Sequence, residues 1–130
     1  MNRALGNRRV IKLNQKIKSK FTDRLFEYVL TMETVEDCYR LFEDLCTVHE
    51  INTIAQRMAV AEMLDRKCTY IEIAEKTGAS TATISRVNRA LLYGTDGYKL
   101  AIDRLNAKQG VHPVEEETNK ADEGTAEQEQ

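Results

Sequence analysis

The sequence predicts an all-helical protein, and three observations carry that prediction. Apolar residues recur at three- and four-residue steps, and no segment alternates apolar with polar residues for long enough to make a strand. Three Thr-x-x-acid quartets, Thr34/Asp37, Thr47/Glu50 and Thr69/Glu72, each stand just before such a period. In that arrangement a hydroxyl and a carboxylate cap a helix start reciprocally. The 130 residues include one proline and no tryptophan, with 31% charged and 42% apolar side chains, which suits helices around a modest core. That length predicts one domain.

The elements follow in order. Residues 1–20 carry seven cations, among them Arg3, Arg8, Arg9 and Lys20, and no acid, so they read as a basic N-terminal arm. Leu13 and Ile17 could extend a following helix. An organellar presequence would also be Arg-rich and acid-poor, but Ser19 is the only serine in this stretch, which argues against it. Phe21, Leu25, Val29 and Met32 then mark one apolar stripe. After Thr34, the residues Val35, Cys38, Leu41, Phe42 and Leu45 form the expected buried face of a second helix. After Thr47, a longer helix turns Ile51, Ile54, Met58, Ala61 and Leu64 or Val60 inward.

Residues 70–92 carry the spacing of a helix-turn-helix. Ile73 faces inward, and Ala74 falls where two helices cross closely. Gly78 supplies the left-handed turn, Ala79 packs within it, and Ser80 caps the second helix. Ile84, Val87 and Leu91 recur at three and four and fasten that helix down. The opposite side is then Ser80, Thr81, Ala82, Ser85, Arg86 and Arg89, which are small, hydroxylated or cationic, with no acid among them. Small residues permit close approach to a groove, free N–H groups at the helix start favour phosphate, and arginine can pair bidentately with guanine. These six residues are the predicted contacts of a recognition helix in the major groove of double-stranded DNA. An ordinary helical hairpin with a glycine turn is the plainer alternative.

Gly94 ends that helix, and Asp96–Gly97 turn into a last one containing Tyr98, Ala101, Ile102 and Leu105, with Tyr93 expected to pack on the core. The helical domain therefore spans 21–106. Residues 107–130 hold seven acids against Lys108 and Lys120 and almost no large apolar side chain, which predicts a disordered acidic tail. The formal net charge of −2 hides this separation of a basic start from an acidic end.

From about Phe21 to Leu105 the chain resembles the YerC/YecD group of tryptophan-repressor-related proteins. The stretches LFEDLCTVHEINTIAQRMAVAEML and TGASTATISRVNRALLYGTDGYKLAIDRL carry the likeness. The resemblance implies a TrpR-like helical fold, a homodimer made by interlocking N-terminal helices, and transcriptional control, with repression the expected sign. A domain of about 85 residues with long amphipathic helices also buries little alone, which independently favours pairing. The tryptophan repressor holds its ligand between a helix arginine and a recognition-helix arginine followed by glycine. Here Arg86 matches the second arginine, but Val87 follows it and would fill the space of the indole ring. Gln56 aligns with the first arginine, Arg57 does so only with an inserted residue, and Ala90 replaces a hydroxyl. The sequence thus predicts no tryptophan corepressor, and it identifies no other cofactor.

Other chemistry finds no footing. Cys38, Cys46 and Cys68 lack pairing or metal-binding spacing and read as reduced, partly buried thiols. His49–Glu50 begins an HExxH-like string, but position 53 is threonine, so a capped helix start is the expectation and no metal is predicted. No nucleophile has a recognisable base, which predicts that the protein is not an enzyme. No run approaches a membrane span, and the expected location is the cytoplasm. The rival to DNA binding is a helical module that docks on another protein.

Overall fold

The computed structural model describes residues 12–110 and contains six helices: α1 (Lys20–Val29), α2 (Val35–Leu45), α3 (Val48–Asp65), α4 (Tyr70–Thr77), α5 (Thr81–Tyr93) and α6 (Gly97–Gln109). No strand occurs among the described residues, so the fold is all-α. Ser19 caps α1 by accepting a hydrogen bond from the Thr22 N–H at 3.1 Å. All three predicted capping boxes form. In the tightest, the Thr69 N–H donates to Glu72 Oε2 at 2.8 Å while the Glu72 N–H donates to Thr69 Oγ1 at 3.2 Å. That bond from the Thr69 backbone N–H holds the Glu72 carboxyl below its ordinary value, and the Glu33 N–H does the same for Asp37. His49 lies in the first turn of α3, as a capped start requires.

The core is built around α3, which packs against α2, α4, α5 and α6. It contributes Val60, Ala61 and Met63, joined by Ile73 of α4, Ala79 of the turn, Ile84 and Val87 of α5, and Ile102 of α6. A short ion-pair bridge fastens the far side: Lys99 of α6 lies 3.2 Å from Asp65 and 2.9 Å from Asp103. Those two carboxylates, Asp103 foremost, raise the Lys99 ammonium above its usual value.

Several sequence expectations need correction. Neither α1 nor α2 buries any residue: Phe21 is 90% exposed, Val35, Cys38 and Leu45 are exposed, and Leu41 and Phe42 are only half-buried. The apolar periods are present in both helices, but the rest of the described chain offers these stripes little to pack against. Cys38 is accordingly an exposed thiol, while Cys46 and Cys68 are half-buried. In α3 the buried set lies toward the C-terminal half, and Ile54 is exposed. Tyr93 is 78% exposed. It follows the buried Ile84 by nine positions, which on a helix is a rotation of about 180° to the opposite face. Ala101 and Leu105 are exposed also, leaving Ile102 as the buried residue of α6.

The domain edges shift slightly. The helical part begins at the Ser19 cap and runs on to Gln109, three residues into the segment read as acidic tail, where Gly110 stops it in the left-handed conformation. Residues 1–11 of the arm and 111–130 of the tail lie outside the described residues.

Candidate nucleic-acid interface

Helices α4 and α5 and their turn form the predicted helix-turn-helix. Gly78 has φ +69°, and its N–H donates to the Ala74 carbonyl at 2.9 Å. No atom stands within 4 Å of where a side chain would begin, so glycine is required here by backbone angle and not by crowding. Ala74 is half-buried against the core at the α4–α5 crossing, and Ala79 is buried in the turn. Ser80 then caps α5, accepting from the Thr83 N–H at 3.2 Å and sharing a hydroxyl–hydroxyl bond with Thr83 at 3.1 Å.

The two faces of α5 separate sharply. Ile84 and Val87 are 0% and 1% exposed, and Leu91 packs beside them. Ser80, Thr81, Ala82, Ser85, Arg86 and Arg89 all face solvent. Their periodicity places them together along one side of the helix, with the two guanidinium groups one turn apart. Among the described residues neither Arg86 nor Arg89 is held by a carboxylate or any other hydrogen-bonding partner. The first turn of α5 contains no acid. The surface can therefore offer donors and positive charge without first breaking an internal ion pair.

The residues aligned with a tryptophan site occupy different roles. The Val87 side chain is enclosed, so the back of α5 is closed by its own aliphatic groups, and Ala90 and Arg57 are half-buried. Gln56 is half-buried, and its Nε2–H donates to the Thr77 carbonyl oxygen at 3.1 Å, across from α3 to the end of α4. In the sequence Gln56 stands out only as an aligned position. The available signal was its offset of four from Val60, which puts a polar amide on the apolar side of α3.

Two concavities accompany the helix pair. One of about 450 Å³ is lined by Met58, Ala90, Gly94, Thr95, Gly97 and Tyr98, where α3, α5 and α6 meet. The other, about 560 Å³, lies between α2 and α3 and is almost wholly apolar, with Val35, Tyr39, Phe42, Val48, Ile51 and Ile54 on its walls. Among the described residues no helix is long and apolar enough to cross a membrane, and no His, Cys, Asp and Glu cluster could hold a metal ion.

Comparison with known proteins agrees with this architecture. Residues 20–106 match the model of the Trp repressor protein family. The chain is 52% identical over 90 residues to the uncharacterized protein YerC of Bacillus subtilis, an overlap of 69% of this chain and 86% of YerC. A TrpR-like protein from Eubacterium eligens superposes with a TM-score of 0.69 at 50% identity, covering 72% of this chain and 96% of that one. A Staphylococcus aureus protein put forward as a Trp repressor gives 0.69 at 48% identity, covering 71% and 92%. Half the residues are shared over most of each relative's length, and the matched region takes in all of α1 to α5 and most of α6: the chain belongs to the Trp repressor protein family, as a YerC-type, TrpR-like member.

Proposed function

We propose that this protein is a dimeric, sequence-specific DNA-binding transcriptional regulator, a repressor in sign, that reads the major groove with α5. The observation that carries the reading is the outward face of that helix: Ser80, Thr81, Ala82, Ser85, Arg86 and Arg89 are all exposed, while Ile84 and Val87 anchor its back. Ser80, Thr81 and Ala82 let the N-terminal end approach the duplex, where backbone N–H groups meet a phosphate. Arg86 and Arg89 extend along the groove to base edges or to the flanking phosphates. Membership of the Trp repressor protein family supports the same reading.

The subunit acts as a homodimer. Support comes from α1 and α2, which bury no residue, and from the exposed aromatic and aliphatic side chains of Phe21, Phe26, Leu30, Val35, Tyr39 and Val48. A second copy covers this surface, and two-fold symmetry sets the recognition helices about one DNA turn, roughly 34 Å, apart. The basic arm adds phosphate contacts without sequence information, and the acidic tail competes with DNA for cationic surfaces. Tryptophan is not a corepressor, because Val87 stands where the ring would lie.

Selection of bound duplexes from a random pool at physiological salt tests this. A palindromic consensus is the expected result, and recovery of no preferred duplex would leave the protein-docking alternative. Arg86→Ala should then weaken the consensus by about 1–3 kcal/mol and relax preference at one base pair if Arg86 reads a base. Equal weakening on all duplexes would assign it to phosphate.

A further inference from the structure

The turn between α4 and α5 is held by more than its glycine. Gln56 projects from α3 on the side of Val60, and its amide donates to the carbonyl oxygen of Thr77, the last residue of α4. That carbonyl is one of the four that a helix end leaves without an internal partner. The Thr77 hydroxyl donates to the Ile73 carbonyl at 2.7 Å and accepts from the Ala79 N–H at 3.1 Å. Ala79 is buried and immediately precedes the Ser80 cap of α5. A continuous set of polar contacts thus runs from the central helix, through the end of α4, to the residue before the recognition helix.

We infer that Gln56 is a positioning residue for DNA reading, fixing the angle and register of the α4–α5 turn so that Arg86 and Arg89 meet base edges in one geometry. The inference rests on the DNA-binding reading given above. Apolar contacts around Ile73, Ile84 and Val87 hold α5 against α3, but burial is non-directional and tolerates small slides. A hydrogen bond weakens steeply when its angle opens, so it supplies the directional restraint that apolar packing lacks. Bidentate base contacts are sensitive to such slides, whereas phosphate contacts made by flexible side chains are not. Loosening the turn should therefore remove specificity while leaving non-specific attraction intact.

The test uses the full chain and Gln56→Glu, which keeps the side-chain shape but aims a carboxylate at the Thr77 oxygen. Affinity is measured for the selected consensus and for a random duplex across salt, together with amide hydrogen exchange at Ala79. The expected result is a fall of about tenfold or more in the consensus-to-random ratio, as loss of a part-buried donor implies. Random-duplex affinity should fall only by the small, sequence-independent amount that one added negative charge accounts for, and exchange at Ala79 should be faster. Gln56→Lys, which restores a donor, should regain most of the ratio, since its added charge strengthens both duplexes alike. An unchanged ratio would overturn the inference, and so would an equal fall on both duplexes accompanied by a lower unfolding midpoint. If Gln56→Glu does not fold, Gln56→Ala takes its place. If the wild-type protein prefers no duplex, the DNA-binding reading fails by itself, and unaltered protection at Ala79 would separately defeat the role given to Gln56.

Discussion

Replacing Val48 with aspartate should separate pairing from folding. Val48 is the first residue of α3, directly after the Thr47 cap, is 75% exposed, and lines the apolar concavity between α2 and α3. An acid in the first turn of a helix is favourable by about 0.3–1 kcal/mol, so the isolated subunit should fold at least as well as before. Pairing is another matter. Covering the exposed three-quarters of a valine side chain contributes roughly 1–1.5 kcal/mol, and two-fold symmetry counts the loss twice, giving about 2–3 kcal/mol. That alone weakens the dimer roughly 30- to 150-fold. Removing a carboxylate from water in each copy adds at least about 1 kcal/mol apiece, which takes the total to about a thousandfold. Sedimentation velocity over a concentration series, with circular dichroism on the same samples, reads both effects. The wild-type chain should sediment as a dimer, and V48D as a monomer of undiminished helicity. A V48D protein that sediments with the wild type at every concentration would refute the placing of this groove in the interface.

Four further outcomes are expected. Gly78→Ala should lower stability by about 1–2 kcal/mol, the penalty of a left-handed backbone with a β-carbon, because the space beside it is open. Gly78→Asn should lose less in denaturant unfolding, and equal losses would mean that something other than φ is at fault. Removing residues 1–18, which spares the Ser19 cap, should flatten the dependence of log affinity on log salt, and an unchanged slope would count against the arm. Removing residues 111–130, beyond the end of α6, should tighten DNA binding at low salt, a gain whose absence would dismiss competition by the tail. Isothermal titration with tryptophan should give no saturable heat, and stoichiometric binding would show that Val87 can move aside.

What was legible in the sequence was local or periodic. Thr34, Thr47 and Thr69 announced three helix starts because a capping box needs only four residues, and Ser80 and Gly78 framed the turn for the same reason. Ile84 and Val87 gave the inward side of α5, and the exposure of Arg86 and Arg89 followed by rotation. Burial in α1 and α2 was not legible, because an apolar stripe such as Phe21, Leu25 and Val29 records that a side chain seeks cover without recording what covers it. Gln56 escaped notice for a related reason: its partner, the Thr77 carbonyl, is a backbone atom 21 residues away that leaves no mark on composition.

Under the proposed function, the same distribution implies how pairing and DNA reading would be coupled. Among the described residues every buried one lies between Val60 and Ile102, so α3 to α6 hold the α4–α5 pair with no buried residue from α1 or α2. The long helix α3 belongs to both parts. Its N-terminal half supplies Val48, Ile51 and Ile54 to the apolar groove, and its C-terminal half supplies Val60, Ala61 and Met63 to the core. Eighteen helical residues form a rod of about 27 Å, stiff enough to convert the docking of one end into a fixed position of the other. Loss of pairing should then leave each recognition helix intact but remove its set distance from the second. V48D protein should accordingly keep salt-dependent affinity for random duplex while losing preference for a two-half-site consensus over a single half-site. A V48D monomer that still prefers the two-half-site consensus to a single half-site would mean that the spacing is carried by some element other than α3.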